Sequence, residues 1–146
     1  MKGITKDILC RYLEEIGYDA RTNGNGDYYV MKYADETFPH DIEITYIVDG
    51  EWVLVKGTAL QFGPSEEDEY VVMEVLNEMN MKRSDPVGYY LNFLPRFQYR
   101  VKLGQEVSEA YIKRDVIQFG TYCIVRSFEE LGLRLKARGV EMVSPF

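Results

Sequence analysis

Residues 42 to 55 read Ile-Glu-Ile-Thr-Tyr-Ile-Val-Asp-Gly-Glu-Trp-Val-Leu-Val, and this stretch decides the fold class. Ile42, Ile44, Tyr46 and Val48 alternate with Asp41, Glu43, Thr45 and Ile47. That period of two belongs to a strand with one face on a core. Asp49-Gly50 then leads into Glu51-Trp52-Val53-Leu54-Val55. Two strand patterns joined by Asp-Gly predict a hairpin, because a type I′ turn needs positive φ at both central residues.

Upstream, Asn23-Gly24-Asn25-Gly26-Asp27 is turn chemistry, and Tyr28 to Tyr33 is rich in the aromatic and β-branched types that suit a pleated surface. A strand is expected there. Ahead of it, Thr5 is a plausible cap for a helix whose stripe is Ile8, Leu9, Tyr12, Leu13 and Ile16, and Gly17 is its stop. Lys6, Arg11, Glu14 and Glu15 take the opposite side, so one face lies on a core and the other in water.

Downstream, Ser65 with Asp68 resembles a capping box, and a second helix should run from about Glu66 to Lys82. Val71, Val72, Val75, Leu76 and Met79 form its core side. Met73 widens that arc, while Tyr70 and Met81 lie nearly opposite the core beside Glu74 and Asn77. Asp85-Pro86-Val87-Gly88 breaks the chain. Tyr89 to Leu94 and Phe97 to Leu103 read as another strand pair, turning around Leu94-Pro95-Arg96. Ser108 then caps a long helical pattern through Ile112, Val116, Phe119, Cys123, Phe128, Leu131 and Leu135. Thirty helical residues span about 45 Å, so a bend near Gly120 or a projecting helix is expected. Residues 139–146 read as a short tail.

At 146 residues, with 46% hydrophobic and 28% charged side chains, the chain fits a single domain able to bury a core without a metal or disulfide. The expected architecture is α+β: an antiparallel sheet of about five strands with helices on one face, in the order α-β-β-β-α-β-β-α. The net charge of −7 and the absence of a lysine or arginine run argue against nucleic acid and anionic membranes. Cys10 and Cys123, one in each terminal helix pattern, read as reduced core thiols. No stretch reads as a signal peptide or a membrane span, so a cytoplasmic location is expected.

Leu9 to Tyr18, the Gly-Asp turn into Tyr28-Tyr29-Val30, and Val75-Leu76-Asn77-Glu78-Met79-Asn80 together resemble the YbjN-type family, whose fold is shared with the type III secretion chaperones. The last segment looks like that family's Leu-Asn-x-hydrophobic-Asn signature. Leu94-Pro95-Arg96-Phe97 departs from the family's Asp-Gly turn in the second hairpin, and the loop from Ala34 to His40 is longer than the family pattern. The resemblance implies a small acidic homodimer that binds a segment of a client protein. Members of the family carry only the label of sensory-transduction regulators.

Chemistry-bearing constellations are sparse. His40 is the sole histidine, and without a marked nucleophile beside it a solvated loop histidine is the expected reading. Cys10, His40 and Cys123 are too scattered for zinc. Glu66 to Glu69 complements a helix dipole and lacks the spacing of a calcium loop. Asn23 to Gly26 precedes a strand and lacks the lysine of a phosphate loop. No catalytic residue, metal or cofactor is therefore expected. The signal that stands out is surplus apolar surface: Tyr70, Met73 and Met81 on the second helix, and Trp52 on a strand. These are the expected dimer or client interface, with sheet edges left for an incoming client strand. The alternative is a regulatory domain whose partner is a signalling protein or a small effector. A long third helix covering the same side chains is the competing structural account.

Overall fold

A computed structural model describes residues 4–62, 64–82, 85–104 and 107–141. Helix α1, Lys6–Ile16, starts where the Thr5 hydroxyl accepts the Ile8 N–H, and ends at Gly17 in the left-handed region. Strands β1 (Arg21–Thr22), β2 (Tyr28–Lys32), β3 (Ile42–Asp49) and β4 (Trp52–Ala59) follow. Helix α2, Glu66–Lys82, opens where the Ser65 hydroxyl accepts the Asp68 N–H. Strands β5 (Val87–Leu91) and β6 (Leu94–Lys102) come next. A last helical run comprises α3 (Glu109–Tyr111), a π-helical stretch at Ile112–Gln118, and α4 (Phe119–Ala137). The sheet is antiparallel with order β1-β2-β3-β4-β6-β5, which makes the fold α+β with six strands. The extra strand is the two-residue β1, too short to show a period.

All the long helices pack on one face of the sheet. Ile42, Ile44 and Tyr46 of β3, Val53, Val55 and Ala59 of β4, and Phe97 of β6 are buried beneath them. Two glycines set how closely α4 lies on the strands. A Cβ on Gly57 would fall 2.3 Å from Ile124 Cγ2, and one on Gly120 would fall 2.9 Å from Tyr99 Cδ1. The expected irregularity near Gly120 takes the form of the π-helical stretch, which ends just before the point where α4 meets the sheet. Val116 and Ile117 within it are fully buried.

Both hairpins form, and both turns are displaced from their expected places. Asp49 pairs with Trp52, so the first loop is Gly50-Glu51, with only Gly50 at positive φ (61°). A two-residue loop with glycine first follows the type II′ pattern rather than type I′. In the second hairpin the loop is Asn92-Phe93, with φ of 53° and 63°, and Leu94-Pro95-Arg96 belongs to β6. Pro95 is tolerated there because the β4–β6 ladder ends at Thr58↔Arg96, so its missing N–H costs no ladder bond. The tail is described only as far as Glu141; residues 142–146 lie outside the described residues.

Candidate functional site

On α2, the residues facing the sheet and those facing away are cleanly separated. Val72, Val75, Leu76 and Met79 are buried. Tyr70, Met73 and Met81 are 63%, 47% and 80% exposed, and with Asn77 they form one narrow stripe along the outer side of the helix. Helix α4 reaches α2 only on the flank of this stripe. Arg138 pairs with Glu74 at 2.6 Å and with Glu78 at 3.6 Å, and Arg134 approaches Glu78 at 3.9 Å. The Arg138 guanidinium, and then the Tyr70 hydroxyl, hold the Glu74 carboxyl below its ordinary range, while the hydrogen bond to Glu74 raises the Tyr70 phenol. The competing account is thus not met: the last helix clamps the acidic flank and leaves the apolar stripe open.

The stripe continues into a shallow groove of about 210 Å³ between α2 and β5, lined by Met73, Asn77, Asn80, Tyr89 and Tyr90. Burial, followed by Glu69, pushes the Tyr90 phenol up to about 12. The Asn80 side chain settles what this groove can hold. Its Nδ2 donates to the Gly88 carbonyl at 2.7 Å, and its Oδ1 accepts the Gly88 N–H at 2.8 Å. Gly88 is the residue whose peptide groups point away from β6, so Asn80 occupies the edge where another strand would add. The final asparagine of the Leu76-Asn77-Glu78-Met79-Asn80 motif is therefore an edge cap, a role that spacing alone does not reveal.

The opposite edge is open. Strand β1 pairs with β2 only at Tyr28 and Tyr29, and the chain then diverges. A cleft of about 360 Å³ opens beside Val30, Met31 and Lys32, walled by Tyr18, Arg21 and Tyr33. On this side no described strand pairs with β2 beyond Tyr29 other than β3.

Trp52 is not brought to the α2 stripe. It lies on the uncovered face of the sheet, with the Arg100 guanidinium 4.9 Å from the centre of its ring. His40 corrects the reading of a solvated loop histidine: it is only 4% exposed, held edge-on between Phe38 and Phe62 at 5.7 and 5.2 Å. The cause is the long loop, which Asp35 folds inward by accepting the Thr37 and Phe38 N–H groups. Burial lowers the His40 pKa, with Asp41 opposing the shift, and its Nδ1 has no hydrogen-bond partner among the described residues. Cys10 and Cys123 are half-buried rather than core thiols, and neither is in a disulfide among the described residues. Cys10 sits off the buried stripe of α1, 3.6 Å from Glu14 Oε1, and burial leads the rise in its pKa. Asn23 caps its own loop by accepting the Asn25 and Asp27 N–H groups, as turn chemistry requires. Among the described residues no group of three His, Cys, Asp or Glu side chains is placed to hold a metal ion. Nor is any described helix long and apolar enough to cross a membrane.

No family model matches the chain, and no curated protein matches it. Among solved structures it is similar to YbjN of E. coli, described as a candidate transcription regulator. The match covers 94% of each chain with a TM-score of 0.60 at 12% identity. At that identity the likeness shows the fold, and at that level the resemblance read from the sequence is met.

Proposed function

We propose that this chain is a single-domain, non-catalytic, chaperone-like protein-binding module that pairs as a homodimer through the outer stripe of α2 and holds a segment of a client protein. The carrying observation is the exposure of Tyr70, Met73 and Met81 in one line on a helix whose other face is fully buried. Exposed apolar side chains in a contiguous strip mark interfaces, and a self-complementary helix face is the simplest way for a two-fold dimer to cover them. Two cysteines outside any disulfide among the described residues fit a reducing, cytoplasmic setting, and the net charge of −7 favours protein over nucleic acid or membrane as partner. The likeness to YbjN supports a regulatory context for such binding.

Light scattering on the eluting peak of the full chain, compared with a Met73→Glu/Met81→Glu double variant, tests the reading. The wild type should elute at twice the chain mass and the variant at the chain mass, with unchanged far-ultraviolet dichroism. A wild type that stays monomeric at high concentration overturns the homodimer.

A further inference from the structure

Positive charge in this acidic chain is distributed unevenly. On the helical side Arg11, Lys113, Arg126, Arg134 and Arg138 each hold a carboxylate at ion-pair distance. Lys82 and Lys136 have no ion pair among the described residues, but each lies in the last turn of a helix, where the dipole favours a cation. The other described cations without a carboxylate are Lys56, Arg96 and Arg100, and all three point from the uncovered face of the sheet. Arg96 donates to the Thr58 hydroxyl and the Leu91 carbonyl, both neutral, and Arg100 lies over Trp52. Lys56 of β4 pairs with Gln98 of β6, midway between the two arginines. The strand geometry puts Lys56 about 8 Å from each arginine and the arginines about 13 Å apart, measured between backbones. Beside this triangle lie the half-buried Trp52, Leu54 and Ile47, and Glu43 and Asp49 flank it on β3 without an ion pair to any of the three cations; no described element covers this face.

We propose that the uncovered sheet face is a docking surface for an acidic polypeptide segment, one that sets carboxylates against Lys56, Arg96 and Arg100 and an apolar side chain against Trp52. Charge complementarity carries the choice of occupant. Three cations left without carboxylates in a chain with 24 acidic and 17 basic residues are a preference for an incoming anion. A nucleic acid fits less well, because the summed field repels a polyphosphate and the Trp52 face that would stack a base is already taken by Arg100. The inference rests on the reading of the chain as a protein-binding module and adds the chemistry of the partner, at a surface separate from α2.

Trp52 is the sole tryptophan, so its fluorescence reports directly on this face. The full chain is titrated with a short glutamate–leucine peptide, with a lysine–leucine peptide of equal length and oligothymidylate as comparators. The acidic peptide should shift the emission along a saturating curve that weakens as salt is added, and the basic peptide should not. A Lys56→Gln/Arg96→Gln/Arg100→Gln variant should raise the dissociation constant at least about tenfold. An Arg96→Lys/Arg100→Lys variant, which keeps the charge, should still bind, and this separates a lost contact from a lost fold. Emission that never responds, a glutamine variant that binds as tightly, or oligothymidylate binding more tightly than the acidic peptide each overturns the proposal. The Met73→Glu/Met81→Glu variant should titrate like the wild type, so loss of the dimer and loss of this surface are read separately.

Discussion

Along β4, Val53, Val55, Gly57 and Ala59 point into the core and are buried, while Trp52, Leu54, Lys56 and Thr58 point the other way and keep contact with water. The same backbone thus borders two different materials. Beneath the helices the packing leaves no room for one more carbon at Gly57. On the far side the side chains lie over one another and over open solvent, with Arg100 on Trp52 and Arg96 against Thr58. Protein interiors transmit a misfit because they are close-packed, whereas a bare sheet face absorbs it by moving a side chain. Perturbations on the two sides should differ accordingly, and each can be made with a single residue.

The largest difference should come from adding one carbon. In Gly57→Ala the new Cβ would sit 2.3 Å from Ile124 Cγ2 and 2.9 Å from Phe128 Cε2. Phe128 is itself wedged against Phe38 and Phe97, so it cannot give way cheaply. The strand and α4 must separate, at a cost of about 3 kcal/mol. Lys56→Ala, one residue away on the uncovered face, should change stability by less than about 0.5 kcal/mol. Urea unfolding of both variants measures the contrast, and equal effects would mean that the two faces are not the different environments described.

How far this contrast can be read from sequence depends on whether a residue acts through its type or through its neighbours. The alternation through Ile42 and Tyr46, the caps at Thr5, Ser65 and Ser108, and the bounds of α2 follow from residue type and spacing, and the structure places all of them as read. Positions set by tertiary approach do not follow. Gly57 lies two residues past the stretch that reads as a strand, and nothing local says that a helix will rest on it. Asn80 looks like any polar residue late in a helix until Gly88 is folded beside it. The turns slipped because Asp-Gly and Leu-Pro-Arg are turn-like in isolation, whereas cross-strand register decides which residues occupy the loop. Of the candidate interface, the surplus on α2 was visible as Tyr70, Met73 and Met81 opposite the core. The cluster of Lys56, Arg96 and Arg100 was not, since its members come together only when β6 pairs with β4.

Adding a charge under the helices should have a smaller effect, visible only against pH. Burial holds the folded-state pKa of His40 below its ordinary value and outweighs the pull of Asp41. Above the unfolded value of about 6.5 both states are neutral there and His40 makes no pH-dependent contribution. As the pH falls below that value the unfolded chain takes up a proton that the folded chain resists, so stability declines until the lower folded pKa is passed. His40→Leu removes the titrating group from the same site between Phe38 and Phe62. The wild type should lose stability between about pH 7 and pH 5, while the variant stays flat in that interval, before the carboxylates begin to titrate. Parallel curves would show that water reaches the imidazole and that this part of the interior is not closed.

A modest effect, and the only one expected to stabilise, comes from taking a side chain away at the rim. Phe93 occupies the second position of the β5–β6 turn at a φ of 63°, and the residue is 72% exposed. An aromatic residue in the left-handed region costs about 1 kcal/mol relative to glycine, and little burial repays it here. Glycine recovers that strain but gives part of it back through the greater freedom of the unfolded chain. Phe93→Gly should therefore gain about 0.5 kcal/mol in chemical unfolding. A loss of that size instead would mean that the ring packs on Leu91 or Leu94 closely enough to hold the hairpin tip. The uncovered face would then carry apolar support at its margin as the core does, and the contrast between the two sides of the sheet would narrow to the centre of β4.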